Sequence, residues 1–121
     1  MTGARRLDFD DLFENRGTLA LRYRPDAATL DGLPVEIEGV VVRTHGEPPR
    51  LLLTERDEGC PDCAPIPVPA IFLPDLREVP AGVVPGLTRV VVQGTLRVGF
   101  AIDAEQYGSF VRIEAARPVR S

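Results

Sequence analysis

Apolar residues recur at every second position through much of the chain, which is the pattern of strands that bury one face. The pattern is clearest over residues 88–100, where Val92, Leu96 and Phe100 share one parity and polar residues take most of the other. The same alternation, or a short apolar run, predicts further strands over residues 18–24, 35–43, 51–54, 68–73 and 107–116. No long segment has the 3.6-residue period of an amphipathic helix. The sequence therefore predicts an all-β protein.

Glycines inside two of these strands indicate how the sheet is shaped. Gly39 lies within the strand at 35–43, and Gly94 lies within the strand at 88–100. A glycine inside a strand is typical of a bulge or a sharp bend, as a barrel corner requires. We therefore predict a small antiparallel barrel, closed or partly open and OB-like. An SH3-like or another small barrel fits the same pattern, because spacing does not give the strand order.

The segments outside the strands predict only short elements. Acidic residues precede Leu12 and Phe13, which predicts a short N-terminal helical turn that begins at Asp8 or Asp10 and ends by Gly17. Residues 25–34 predict a turn or a single helical turn, and residues 117–121 predict a solvated tail. The whole chain, 1–121, is thus expected to form one domain with a barrel core over about residues 18–116.

Composition limits the classes of protein that the chain can belong to. Its 121 residues are 44% hydrophobic, and a domain of this length needs neither a disulfide nor a metal to form a core. All 14 basic residues are arginines, and 18 acidic residues bring the net charge to -4, which makes nucleic acid an unlikely partner. No apolar run approaches the roughly 18 residues of a membrane span. The N-terminus carries no apolar segment typical of a signal peptide, so the sequence as given predicts a cytoplasmic protein unless a leader has been removed.

Prolines are concentrated in one part of the chain. Nine of the 12 prolines lie between Pro48 and Pro85, and both cysteines, Cys60 and Cys63, lie in the same region. Each proline fixes its own φ and restrains the residue before it. We therefore predict a rigid loop over residues 56–69 and expect it to be the functional surface, with an unknown protein or small ligand as its partner.

The Cys-Pro-Asp-Cys sequence of this loop allows four interpretations. A thiol-disulfide redox site normally opens a helix, which the prolines after Cys63 prevent. A metal site, with zinc as the cofactor, requires more than two ligands, and His45 is the one histidine that could join Cys60 and Cys63. A Cys60–Cys63 disulfide would form in an oxidising compartment. Otherwise the two thiols pack as small apolar groups, and His45 is a solvated turn residue.

The order of several short motifs resembles a bacterial family of unknown function. The motifs lie at 33–41, 51–54, 59–67 and 91–96 and read LPVEIEGVV, LLLT, GCPDCAPIP and VVQGTL. The family consists of small OB-like proteins, often exported or lipoprotein-anchored, with a cysteine-centred proline-rich loop. The resemblance implies a periplasmic accessory role linked to transport or metal handling. A histidine that follows the first loop cysteine in that family is replaced here by Asp62.

No catalytic motif is present, so we expect a protein that is not an enzyme. Four carboxylates were considered as catalytic groups: Glu36, Glu38, Asp103 and Glu105. We expect them instead to lie on the solvated surface. An OB-like barrel that binds single-stranded nucleic acid or an oligosaccharide is the alternative function. For nucleic acid, the arginines that would form a basic patch are Arg22, Arg24, Arg89 and Arg97. The main expectation is a non-enzymatic binding or accessory module.

Overall fold

The computed structural model describes residues 4–14, 22–44, 46–55 and 69–119. In chain order, the strands in these residues are β1 (Arg5–Leu7), β2 (Phe13–Glu14), β3 (Arg22–Tyr23), β4 (Pro34–Arg43), β5 (Leu51–Thr54), β6 (Ala70–Phe72), β7 (Arg89–Ile102) and β8 (Gly108–Val119). Two short 3₁₀ helices span Phe9–Asp11 and Pro25–Leu30. The protein is therefore predominantly β, as the sequence predicts.

Five of the strands close into a barrel. They follow the order β4-β5-β6-β8-β7, and β7 pairs back with β4. The pairs are antiparallel except β6 with β8, which run parallel and meet at Phe72 and Arg112. Counted along the chain from β4, the third and fifth barrel strands are β6 and β8, and they are neighbours. This is the arrangement of an OB-like barrel. The predicted fold class is confirmed, with this one parallel pair in an otherwise antiparallel barrel.

Two glycines let strands approach where any side chain would collide. A Cβ at Gly39 would overlap the carbonyl oxygen of Thr54, at the point where the edge of β4 changes partner from β1 to β5. A Cβ at Gly94 would overlap the side chain of Ile113, and the β7–β8 register shifts at this glycine. Gly94 thus lies at a β-bulge, as its position inside a strand predicts. The β4–β7 register continues without a shift through Gly39, which instead allows the close approach of β5.

The main core fills the barrel and continues under the N-terminal segment. Its barrel members are Val35, Ile37, Val41, Leu51, Leu53, Ile71, Leu73, Val92, Leu96, Val111, Ile113 and Ala116. The segment before β4 adds Leu7, Phe9, Leu12, Phe13, Ala27 and Leu30 to the same cluster. The N-terminal residues therefore pack against the barrel as part of one core.

A second apolar cluster lies on the outside of the barrel. Val42, Leu52 and Phe72 are paired side by side on β4, β5 and β6, and each is at most 5% exposed. Residues paired across neighbouring strands lie on the same face of the sheet. Their neighbours on the opposite face belong to the main core: Val41, Leu51, Leu53, Ile71 and Leu73. Ala70 and Tyr107 pack against the three. The outer face of these strands is thus apolar, which positions the site described below.

The structure corrects two features of the predicted N-terminal region. The helical turn covers only Phe9–Asp11, because the chain enters β2 directly after it and Phe13 pairs with Tyr23. Asp8 caps this turn, its backbone N–H donating to Asp11 Oδ2 at 2.8 Å. Strand β1, which the sequence pattern does not predict, pairs in parallel with β4. The predicted strand at 18–24 is present at Arg22–Tyr23, and its residues 18–21 lie outside the described part of the chain.

The C-terminal strands also differ from the pattern. The last five residues were expected to form a solvated tail, but β8 continues to Val119, which pairs with Val91. Alternation places Phe100 in the core, whereas its side chain is 66% exposed. A register shift between Val98 and Ala101, with Gly99 at φ 130°, breaks the alternation and turns Phe100 outward. Strict alternation therefore fails where β7 bulges.

Candidate functional site

The sequence predicts metal or disulfide chemistry at three residues. His45, Cys60 and Cys63 lie outside the described residues, and so does most of the rigid loop predicted at 56–69. The chain leaves the described part after Glu55, at the end of β5, and resumes at Pro69, just before β6. Within the described ranges, no three His, Cys, Asp or Glu residues are grouped so that they could hold a metal ion.

An aromatic pocket lies beside the outer apolar cluster. Its volume is about 360 Å³, within the size range of small-molecule sites. It is lined by Tyr23, Leu52, Ala70, Phe72, Phe100, Tyr107, Gly108, Ser109, Phe110 and Val111. Five of these ten residues are aromatic, out of seven aromatic residues in the whole chain. None of the ten carries a charge.

One wall of the pocket is a pair of stacked rings. Tyr23 on β3 and Phe110 on β8 have ring centroids 4.0 Å apart and planes inclined by 15°. The ring of Phe13 packs against Tyr23, with a centroid distance of 5.1 Å. The ring of Phe9 packs in turn against Phe13, with a centroid distance of 6.0 Å. Burial raises the pKa of the Tyr23 hydroxyl above its usual value. The N-terminal segment thus contributes Tyr23 to this wall, and the barrel strand β8 contributes Phe110.

A second wall is formed by Phe72 and Tyr107, whose ring centroids are 4.7 Å apart and whose planes are tilted by 53°. Such tilted pairs are a favoured arrangement of aromatic side chains. Phe100 completes the pocket from β7, and its ring lies near Gly108, where an added Cβ would be 3.1 Å from the ring. The five aromatic rings of the pocket therefore come from five segments: β3, β6, β7, β8 and the loop that precedes β8.

The buried guanidinium of Arg50 packs over the ring of Tyr107. Its side chain is only 7% exposed, and its guanidinium carbon lies 5.2 Å from the centroid of the Tyr107 ring. Nη1 donates to the carbonyl oxygen of Pro48 at 2.7 Å, and Nη2 lies 3.4 Å from Glu105 Oε1. Nε is buried without a hydrogen bond, with Asp103 Oδ2 at 3.8 Å. Arg50 thereby ties the end of the β4–β5 loop to the β7–β8 loop.

The β7–β8 loop is organised around Asp103. Its Oδ1 accepts hydrogen bonds from the backbone N–H groups of Tyr107 and Glu105, both at 2.9 Å. The pKa of the Asp103 carboxyl lies below its usual value, chiefly because of the Tyr107 N–H, then the Glu105 N–H and the charges of Arg50 and Arg77. The side chains of Asp103 and Glu105 are 32% and 41% exposed, consistent with the solvated surface expected of them. Asp103 in addition holds the loop that carries Tyr107.

The other carboxylates noted in the sequence lie in a surface network away from the pocket lining. Arg6 bridges Glu36 at 3.0 Å and Glu38 at 3.2 Å, and Arg89 reaches Glu38 at 3.0 Å. Gln93 Nε2 donates to Glu36 at 3.0 Å and, with Arg6, lowers the pKa of this carboxyl below its usual value. These groups link β1, β4 and β7 on one exposed face.

The arginines that could have formed a basic patch each have an acidic partner. Arg89 contacts Glu38, and Arg97 contacts Glu114 at 3.0 Å. Arg22 and Arg24 lie 4.0 Å and 3.7 Å from carboxylate oxygens of Glu14 and Asp26. Their charges are therefore compensated locally, and they do not meet in the pocket.

Comparisons with known proteins bear on the fold. No family model matches the chain, and no curated protein matches it. A crystal structure of a DUF3299 family protein from Pseudomonas aeruginosa is similar over 98% of both chains, with a TM-score of 0.58 and 14% sequence identity. This likeness supports a fold shared with a bacterial family of unknown function. In the part of the chain that the structure describes, no helix combines the length and apolarity needed to cross a membrane.

Proposed function

We propose that the chain is a non-enzymatic binding module that holds an apolar or ring-bearing group of its ligand in the aromatic pocket. The observation that carries the proposal is the gathering of five of the seven aromatic residues around one uncharged pocket. The pocket lies against the outer face of β5 and β6 and beside the β7–β8 loop. OB-like barrels commonly bind ligands at the corresponding strands and loops.

The charges around the pocket favour this proposal over binding of single-stranded nucleic acid. Phosphate groups need cationic partners, and the ten lining residues supply none. Arg50 and Arg77, beside the β7–β8 loop, are both paired with Glu105. Arg112 Nη1 donates to the carbonyl oxygens of Gly99 and Ser109, at 2.9 and 3.2 Å. With a net charge of -4, the module is better suited to a ligand without phosphates.

The predicted cysteine loop remains a second part of the proposed surface. It joins β5 to β6, and Leu52 and Ala70, on either side of it in the chain, line the pocket. A metal or disulfide at Cys60 and Cys63 is still a proposal, which metal analysis and thiol titration of the purified protein would test. An accessory role in the bacterial envelope is the corresponding expectation from the family resemblance.

Binding of a neutral apolar fluorophore tests whether the pocket is a binding site. The probe is N-phenyl-1-naphthylamine, whose fluorescence rises when it leaves water. Phe100→Ala removes an exposed pocket ring and should weaken binding about fivefold, corresponding to roughly 1 kcal/mol. Leu87→Ala is the matched control, since Leu87 is 74% exposed and is not a lining residue.

Two results would overturn the proposed function. One is equal loss of probe binding in Phe100→Ala and Leu87→Ala, which would show that the probe binds exposed apolar surface in general. The other is tighter binding of a thymidine decanucleotide than of the probe, with an affinity that falls steeply as salt is added. Tyrosine fluorescence provides a second readout, because the chain has no tryptophan and both tyrosines line the pocket.

A further inference from the structure

Arg112 on β8 lies at the border of the aromatic pocket without being a lining residue itself. It is the register partner of Phe72 on β6, and its Nη1 lies 3.3 Å from Ser109 Oγ; both of these residues line the pocket. Nη1 also donates to the carbonyl oxygen of Gly99, which directly precedes the lining residue Phe100, at 2.9 Å. Arg112 therefore lies next to β6, β7 and β8 where these strands border the pocket.

The hydrogen bonds of Arg112 hold its guanidinium by one nitrogen. All three use Nη1, and their acceptors are neutral: the carbonyl oxygens of Gly99 and Ser109 and the Ser109 hydroxyl. Nε and Nη2 make no hydrogen bond with the described residues. Since Arg50 Nε is the one buried side-chain nitrogen or oxygen without a partner in that part of the chain, the free nitrogens of Arg112 are reached by solvent. Nε and Nη2 form an edge of the guanidinium whose two donors match the oxygens of a carboxylate.

The charge of Arg112 is not compensated by any carboxylate in the described ranges. Arg50, also beside the pocket, has two carboxylate oxygens within 3.8 Å. Arg97 is the register partner of Arg112 on β7, and it contacts Glu114 at 3.0 Å. Like charges directly opposite each other destabilise a strand pair. An anion bound to Arg112 would relieve this repulsion.

The charge of the protein limits the charge of the anion. The net charge of -4 repels anions at long range, and the repulsion grows with the charge of the ligand. A carboxylate carries one negative charge, which one guanidinium balances. A phosphate monoester carries nearly two, and the ten lining residues supply no further cation. The surroundings of Arg112 therefore favour a carboxylate.

We propose that Arg112 binds the carboxylate of a ligand whose ring occupies the aromatic pocket. This inference rests on the proposed function, since it names the polar end of the same ligand. The carboxylate oxygens accept hydrogen bonds from Nε and Nη2, while the ring packs among the lining side chains. The volume of about 360 Å³ suits a small aromatic or alicyclic acid.

A pair of matched probes separates the carboxylate from the ring. The probes are 1-naphthylacetate and 1-naphthylacetamide, which share the ring system; the first is ionised near pH 7 and the second is neutral. Calorimetry and displacement of N-phenyl-1-naphthylamine from the full chain measure both affinities. We expect the acetate to bind at least about fivefold more tightly, because its oxygens accept charge-assisted hydrogen bonds. Equal affinities would overturn the inference, and so would displacement of the acetate by an equal concentration of inorganic phosphate.

Arg112→Gln tests whether this guanidinium is responsible. The variant should lower the affinity for naphthylacetate to that for the amide and leave binding of the amide and of N-phenyl-1-naphthylamine unchanged, which shows that the pocket still forms. Arg112→Lys keeps the charge without the paired donors, so it should retain only part of the preference. Arg77→Gln is the control, since Arg77 is 70% exposed and pairs with Glu105. A preference that survives Arg112→Gln, or that falls equally in Arg77→Gln, would contradict the assignment.

Phe100→Ala connects the carboxylate site to the pocket and separates the two proposals. It should weaken both naphthyl probes to a similar extent; unchanged binding of naphthylacetate would mean that Arg112 acts apart from the pocket. If N-phenyl-1-naphthylamine binding is sensitive to Phe100→Ala but the acetate and the amide bind equally, the pocket is a binding site and the carboxylate assignment is wrong. If N-phenyl-1-naphthylamine is insensitive to Phe100→Ala, both proposals fail.

Discussion

Replacing Arg50 by methionine tests the role of the buried guanidinium that joins two loops behind Tyr107. Methionine keeps much of the length and apolar volume of the arginine stem and removes its charge and its donors. The change eliminates the 2.7 Å hydrogen bond to the Pro48 carbonyl, the contact with the Tyr107 ring, and the ion pairs to Asp103 and Glu105. We expect a less stable protein with a more mobile Tyr107.

The expected size of the effect follows from opposing contributions. Loss of a charge-assisted hydrogen bond costs about 2 kcal/mol, and loss of the cation–π contact costs about 1 kcal/mol. The two ion pairs add about 1 kcal/mol together, because both carboxylates are partly hydrated. Removing the buried Nε, which makes no hydrogen bond, returns about 2 kcal/mol. The net destabilisation is therefore about 2 kcal/mol, equivalent to a Tm lower by about 8 °C.

Urea unfolding and thermal denaturation measure this difference, with Arg77→Met as the control. Arg77 contacts the same carboxylate, Glu105, at 3.2 Å, but its side chain is 70% exposed. Its replacement should change stability by no more than about 0.5 kcal/mol. The reasoning is refuted if Arg50→Met is as stable as the parent protein, or if the two variants lose the same amount.

Three further predictions address the barrel and its charges. Gly94→Ala should lower the stability by about 1–3 kcal/mol in thermal denaturation, because the added Cβ would overlap Ile113. Gly46→Ala is the control and should be neutral, because the nearest atom to its added Cβ is 4.0 Å away. Equal stability of the two variants would contradict this reasoning. Leu53→Ala should cost about 2–5 kcal/mol in urea unfolding, since Leu53 is fully buried, and a loss below about 1 kcal/mol would show that the barrel collapses around the gap. Because the pKa values of Asp103 and Glu36 are lowered on folding, their stabilisation is complete above about pH 5 and is lost as pH falls through the lowered values. Urea unfolding between pH 2 and 7 should show this dependence, and Asp103→Asn should reduce it; an unchanged slope in that variant would contradict the assignment.

Most of the barrel could be predicted from the sequence, because its strands obey local rules. Strand β5 has the predicted bounds, and the strands around Gly39 and Gly94 are correctly placed. The errors lie where pairing depends on distant residues. The pairing of Val91 extends β8 to Val119, and the bulge after Val98 turns Phe100 outward. Alternation describes one strand at a time and contains no information about register with its neighbour.

The candidate site was much less predictable. Cys60 and Cys63 are candidates because they form a short motif, and His45 is a candidate because it is the single histidine. All three lie outside the described residues. The pocket instead combines Tyr23 with residues of five later segments, and no local spacing joins them. One signal was available: Leu51, Leu52 and Leu53 form a continuous apolar run, which indicates a strand buried on both faces. The outer face of β5 is indeed apolar, and it borders the pocket.

The closure of the barrel by β4 and β7 also governs how the chain must fold. This ladder joins Pro34 to Thr95 and Val40 to Arg89, so its partners lie 61 and 49 residues apart along the chain (95 - 34 and 89 - 40). Each pair must be brought together before the ladder can stabilise it, and such loop closure slows the search. The hairpin of β7 and β8 is local by comparison. Folding on a time scale of milliseconds to seconds is therefore expected, with the β7–β8 hairpin formed before β4 closes the barrel.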